Sequence, residues 1–393
     1  MRNNLVIAGI AGFALSVFVL IAVVLLLTSI LGDDDEPDEI VQVPTATAES
    51  IPTTGAIEVL PIGTVTPTPL PSLTEDDATP GGTAVALGTS LITTENINSL
   101  TNFISYREDV TPVRASAVSQ DGTLIATGKG DGPILLYETG SNIQIGTLSG
   151  HTGIVYDVAF SPDDMLLASA GEDNIVRLWN VDERRLVDTL QGHTGDVRGL
   201  AFSPDGRLLV SASEDSTVRL WDVAEGDQIA AMRGHNGRVL DVDFDPDGTQ
   251  LASGGQDGDV LLWDVASRSR LRVLGSHSEE VRSVTYNPNG TQLVSTSRDN
   301  TARLWDVETG STLVTYREHG RDVFSAAFSP DGALVATGGR DNQVHIWLTE
   351  NGASQTVLSR HQGWVFDLDF SDDGAMMISS GGDGTVYLWA PRG

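Results

Sequence analysis

Six histidines, His151, His193, His235, His277, His319 and His361, follow one another at intervals of 42 residues, and this regularity restricts the chain to an architecture of equivalent repeated units. Tryptophans keep the same interval at Trp179, Trp221, Trp263, Trp305, Trp347 and Trp389. So do the aspartates Asp173, Asp215, Asp257, Asp299, Asp341 and Asp383, and the hydroxyl residues Ser169, Ser211, Ser253, Ser295, Thr337 and Ser379. One further step toward the N-terminus meets Asp109 at the His position, with Thr127, Asp131 and Tyr137 at the other three, so a seventh, degenerate unit comes first.

Inside a unit such as HTGDVRGLAFSPDGRLLVSASEDSTVRLWD, the segments VRGLAF, LLVSAS and TVRLWD are short, apolar and rich in β-branched residues, and SPDG and EDS interrupt them. This is strand patterning. In Ser203-Pro-Asp-Gly206 and Ser329-Pro-Asp-Gly332 proline presets one backbone angle and glycine accepts positive φ, which suits a tight turn. A fourth strand, RLVDTL ahead of Gly192-His193, completes the unit.

Gly-His before the first strand, Asp in the second turn and Trp-Asp at the end of the third strand resemble the WD-repeat family over residues 97–393. The resemblance implies an all-β, seven-bladed propeller in which His, Ser or Thr, Asp and Trp of each repeat form a buried hydrogen-bonded set, as with His235, Ser253, Asp257 and Trp263. With the N-terminal segment described below, it points to a membrane-anchored, prokaryotic protein. Departures weaken single blades: Asn180, Leu348 and Ala390 replace Asp after Trp, and Ser276, Glu318 and Arg360 replace Gly before His. Only four residues follow Trp389, so the last blade lacks its outer strand. Aligning NFISYRED (102–109) with LVDTLQGH supplies that strand from the beginning of the ordered region and closes the ring.

Ahead of the repeats, Leu5 to Leu31 is a run of 27 uncharged residues, enough to cross roughly 30 Å of hydrocarbon as one helix. A cleaved secretory signal is the alternative, but its apolar region runs about 7 to 15 residues and ends in a small-residue cleavage site. Arg2 precedes the span and Asp33, Asp34, Asp35 and Glu36 follow it, which sets residues 1–4 in the cytoplasm and the bulk of the chain outside it. Residues 32–96 are rich in Thr, Pro and acids without apolar periodicity, the composition of a disordered stalk. As a flexible coil its ends average about 45 Å apart, and full extension would give about 200 Å.

The net charge is −31, of which about −20 remains on the chain outside the anchor and linker. Such a field repels phosphate backbones, so nucleic acid is not an expected partner. The chain has no cysteine, hence no disulfide, thiol nucleophile or thiolate metal site. Six of seven histidines fill a repeat position, and the irregular one, His345, stands where other units carry Arg177, Arg219 and Arg303. No acid or nucleophile is paired with it by motif, so no catalytic residue is expected. Nor are a metal or a cofactor, because ligand-spaced His and Cys pairs, calcium loops and phosphate-binding glycine loops are absent. Asn289-Gly290-Thr291 matches a glycosylation acceptor, which a turn explains equally well.

What remains is binding. Related propellers engage partners on the face that carries the His loops and second turns. Five residues past each His position stand Arg114, Tyr156, Arg198, Leu240, Arg282, Phe324 and Phe366, and Arg298 and Arg340 are among the residues preceding the turn aspartates. Trp364 is the one tryptophan off the repeat. Aromatic and arginine side chains gathered on one face are what protein hot spots use, so Trp364, Phe366, Phe324, Tyr156 and Arg282 are expected to bind a protein partner, with burial of Phe324 and Phe366 between blades as the alternative. The expected whole is a monomeric propeller acting as an extracytoplasmic scaffold on a single-pass membrane protein. An enzyme or carbohydrate receptor whose site lies at the central channel, using Asp and Arg residues from several blades, is the competing expectation. Sensing would need a second protein, since only four residues precede the span.

Overall fold

Two left-handed positions per repeat set the turns. In the first turn, Gly122, Asp164, Gly206, Gly248, Gly290, Gly332 and Gly374 have φ between 58° and 72°. In the second, Gly132, Asn174, Ser216, Gly258, Asn300, Asn342 and Gly384 also have positive φ, a conformation that glycine adopts freely and asparagine at modest cost. Around Ser203 the first turn is completed by its own side chain: Gly206 N–H donates to Ser203 O at 2.8 Å, and Leu208 N–H to Ser203 Oγ at 2.9 Å. The Asn289 sequon occupies such a turn, where Asn289 Oδ1 accepts Thr291 N–H at 3.0 Å.

The computed structural model describes residues 90–107, 111–141 and 143–392. The expected stub (1–4), span (5–31) and most of the expected stalk lie outside the described residues. Among the described residues no helix is long and apolar enough to cross a membrane.

Seven four-stranded antiparallel sheets make up the described chain. Six are consecutive strands, as in Val197–Phe202, Leu208–Ser213, Thr217–Asp222 and Gln228–Arg233 of the third blade. The seventh joins both ends of the described chain: Leu100–Arg107 pairs antiparallel with Thr385–Pro391, with Tyr106 opposite Val386. Leu190 stands opposite Val176 in the second blade, 84 residues further on in the same register, so the segment does the work of an outer strand. Innermost strands of successive blades touch around the whole circle, and Val365–Phe370 of the last meets Val113–Val118 of the first. The fold is therefore an all-β, seven-bladed propeller closed by an N-terminal strand.

The core lies between blades. Phe244, Leu251 and Trp263 of the fourth blade pack on Val210, Ala212 and Val218 of the third, and equivalent clusters recur around the ring. Each flat sheet thus buries both faces while its outer strand meets solvent, which explains why Leu186, Leu271 and Leu313 are exposed. Residues 90–96, assigned above to the stalk, are folded onto the ring instead: Ile92 is 3% exposed among Leu334, Trp389 and Phe370, and its N–H reaches Gly374 O at 2.7 Å. Leu91-Ile92 is a short apolar pair without periodic neighbours and gave no sign of this in the sequence.

Candidate functional site

In each of the last six units, four side chains tie the loop before the innermost strand to the second turn. His235 Nδ1 lies 2.9 Å from Asp257 Oδ1, His235 Nε2 lies 2.7 Å from Ser253 Oγ, and Trp263 Nε1 donates to that oxygen at 2.8 Å. Asp257 Oδ2 accepts Asn236 N–H at 2.7 Å, so the carboxylate also closes the loop backbone. The same contacts join His151, Ser169, Asp173 and Trp179, and His193, Ser211, Asp215 and Trp221. They join His277, Ser295, Asp299 and Trp305, His319, Thr337, Asp341 and Trp347, and His361, Ser379, Asp383 and Trp389. Burial alone would raise Asp173, but bonds from His151, Thr152 N–H and Arg177 outweigh it and hold the carboxyl at about 2. Burial lowers His193 and His277 despite their aspartates, consistent with neutral rings. These sets brace the loops.

The braced loops present one face, and a β-bulge decides what it shows. In every blade the ladder between the first two strands skips one residue: Arg114, Tyr156, Arg198, Leu240, Arg282, Phe324 or Phe366. A bulge re-aims the skipped side chain out of the ladder alternation. Beside each one the second turn is fastened to the loop, as Arg340 N–H to Asp322 O at 2.8 Å and Gly382 N–H to Trp364 O at 2.8 Å.

Three of the predicted residues meet as one aromatic cluster. Ring centroids are 5.8 Å apart for Phe324 and Trp364, 5.5 Å for Phe324 and Phe366, and 6.0 Å for Trp364 and Phe366. All three are partly exposed rather than buried between blades. Arginines stack on them: Arg340 lies 4.5 Å from the Trp364 centroid, Arg114 lies 4.2 Å from Phe366, and Arg282 lies 5.8 Å from Phe324. Tyr156 forms a separate pair with Arg198 at 3.8 Å on neighbouring blades. Arg298 sits at the fifth blade's second turn, its N–H on Glu280 O at 3.0 Å.

The arginines differ from the open contact residues the sequence suggests. Arg282 is only 11% exposed in its side chain and pairs with Glu280 at 3.2 Å, and Arg340 pairs with Asp322 at 3.7 Å. Arg198 is bound by Glu214 through Nε at 2.7 Å. Their charges are thus engaged within the rim, and they act as lids and braces for the aromatic rings.

Sequence reasoning set Asp residues of several blades at the central channel without identifying them; five carboxyl groups, of Asp157, Asp241, Asp243, Asp367 and Asp369, lie on the innermost strands there. A cavity of about 750 Å³ is lined by innermost-strand residues of all seven blades, including Asp157, Asp243, Asp367 and Asp369. Each carboxylate takes a backbone N–H of an innermost strand: Leu200 to Asp157 at 2.7 Å, Val284 to Asp241 at 2.8 Å, Tyr286 to Asp243 at 2.9 Å, and Ser116 to Asp367 at 2.8 Å. Innermost strands of neighbouring blades share no ladder, so these bonds link each of these blades to the next one around the axis. Burial pushes Asp241 and Asp243 up to about 7 and Asp369 up to about 8. The available signal was acid at strand positions, as in VYDVAF, VLDVDF and VFDLDF.

Two family profiles match the chain. Residues 199–393 are similar to the IFT122 first beta-propeller, and residues 142–180 to the WD domain, G-beta repeat. Among curated proteins none matches.

Proposed function

With the described ring taken as a WD-repeat propeller, we propose that it binds a protein partner on the loop-bearing face, through Trp364, Phe324 and Phe366, without turnover. One observation carries the reading: three large rings touch one another on an exposed rim, where a folded monomer gains little from keeping them. Such clusters bury much area on contact and lose little side-chain entropy, because stacked arginines already hold them in place. The apolar run at 5–31 supports a reading in which this face works outside the cytoplasm, tethered through the stalk to a membrane.

A photo-crosslinking residue placed at Phe324 in the full-length chain, in its native cell, tests this. Adducts to one protein from position 324 but not from the exposed outer-strand position 271 support the reading. Undiminished affinity for that protein in a folded Trp364→Ala, Phe366→Ala variant overturns it. The axial cavity favours a second reading, a small cationic or hydroxylated ligand. Its support is weaker because the carboxylate oxygens are already occupied by backbone N–H groups.

A further inference from the structure

One repeat departs from the others in its charge arrangement. In the second, third and fifth blades the turn aspartate faces a guanidinium: Arg177 Nη1 lies 2.8 Å from Asp173, Arg219 Nη2 lies 3.5 Å from Asp215, and Arg303 Nη2 lies 3.4 Å from Asp299. In the sixth blade His345 takes that position. The fourth and seventh blades carry Leu261 and Tyr387 there and simply lack the cation; the sixth instead brings a second imidazole to the carboxylate.

His345 Nε2 lies 3.9 Å from Asp341 Oδ2 and 3.1 Å from Gln343 Oε1, while His319 Nδ1 lies 2.9 Å from Asp341 Oδ2. Donor atoms of His319, Asp341 and His345 all fall within 4.8 Å of one another. In a tetrahedral site with ligands at about 2.0 Å, donors stand about 3.3 Å apart, so these spacings bracket the required edge. We propose that His319, Asp341 and His345, with Gln343 as an oxygen donor, form a binding site for a divalent transition-metal ion of the zinc class, seated where other blades hold a guanidinium.

Three observations support it. First, both rings are fixed: His345 is 3% exposed and stacked on Trp347 at 5.4 Å and 12°, and the His319 and His345 centroids are 4.2 Å apart. Second, His345 Nδ1 is buried without a hydrogen-bond partner among the described residues, and Glu318 Oε2 stands 3.8 Å away. A metal-bound imidazole ordinarily donates its other N–H to such a carboxylate, and Glu318 is exposed enough to close the gap. Third, two nitrogens with carboxylate and amide oxygens suit zinc, cobalt or nickel, whereas calcium and magnesium require oxygen shells. Binding replaces the proton shared by His319 Nδ1 and Asp341 and releases it to solvent, so affinity rises as pH rises and weakens on acidification.

The test titrates the metal-stripped full-length chain, in detergent, with Co²⁺ alone at neutral pH and reads visible absorption. One equivalent giving the intense bands of four-coordinate cobalt, bleached by Zn²⁺, is the expected result. His345→Arg restores the residue of three other blades and is expected to abolish the bands with its melting temperature unchanged; should it misfold, His345→Leu, the residue of the fourth blade, replaces it. Glu318→Gln is expected to weaken binding about 10- to 100-fold. No bands in the unaltered chain, or equal bands in the folded His345 variant, overturns the proposal.

Discussion

Asp369 Oδ2, in the last blade, accepts the backbone N–H of Val118, in the first, at 3.0 Å. The bond lies across the seam where the two ends of the repeat array meet. Burial raises the carboxyl to about 8, against the pull of Val118 N–H and with help from Asp367 and Asp372. An unfolded aspartate titrates near 3.9. Between those values the folded chain holds a proton that the unfolded chain has given up, so this group's stabilising contribution is full below about pH 4 and lost as pH rises through about 8. Asp369→Asn keeps an acceptor and removes the titration. Its melting temperature should approach that of the parent near pH 5 and exceed it increasingly toward pH 9; a difference that does not vary with pH contradicts the assignment.

Trp263 is 1% exposed and spans Ser253 and the inter-blade cluster. Trp263→Ala should cost about 3 to 5 kcal/mol in denaturant unfolding. Leu271, 51% exposed on an outer strand, is the control, and its alanine variant should change stability by less than about 0.5 kcal/mol.

Removal of residues 1–110 takes away Leu100–Arg107 and leaves Thr385–Pro391 as an open edge. Unpaired edges template association. That truncation should form oligomers by light scattering, while a chain beginning at residue 90 should stay monodisperse.

Gly275 sits where a Cβ would come 2.3 Å from the Trp305 ring. The ring is held by Ser295 Oγ at 2.7 Å, so it cannot retreat without losing that bond. Gly275→Ala should destabilise by about 1 to 3 kcal/mol, measured by the same unfolding experiment.

The blade count, the closing strand and its register follow from the 42-residue interval, because every unit must solve the same packing problem. Where a side chain points within a strand was harder to read. The bulge at Phe324 and Phe366 breaks alternation, so a period of two could not say whether they face core or rim. Which aspartates line the channel was not legible because their donors come from another blade, as Val284 N–H for Asp241. His345 stood out as the one histidine off the repeat, but the strand pattern did not show that its ring comes within 4.2 Å of His319.

The bulge recurs in all seven blades, and it separates two kinds of position. Valine flanks it on one side in every blade and is locked between sheets, whereas the skipped residue is Arg, Tyr, Leu or Phe from one blade to the next. Six of those seven skipped side chains are partly exposed and so less constrained by packing than the valines, while Leu240 is buried. A chain so built can change what it recognises, one sector at a time, while its ring stays the same.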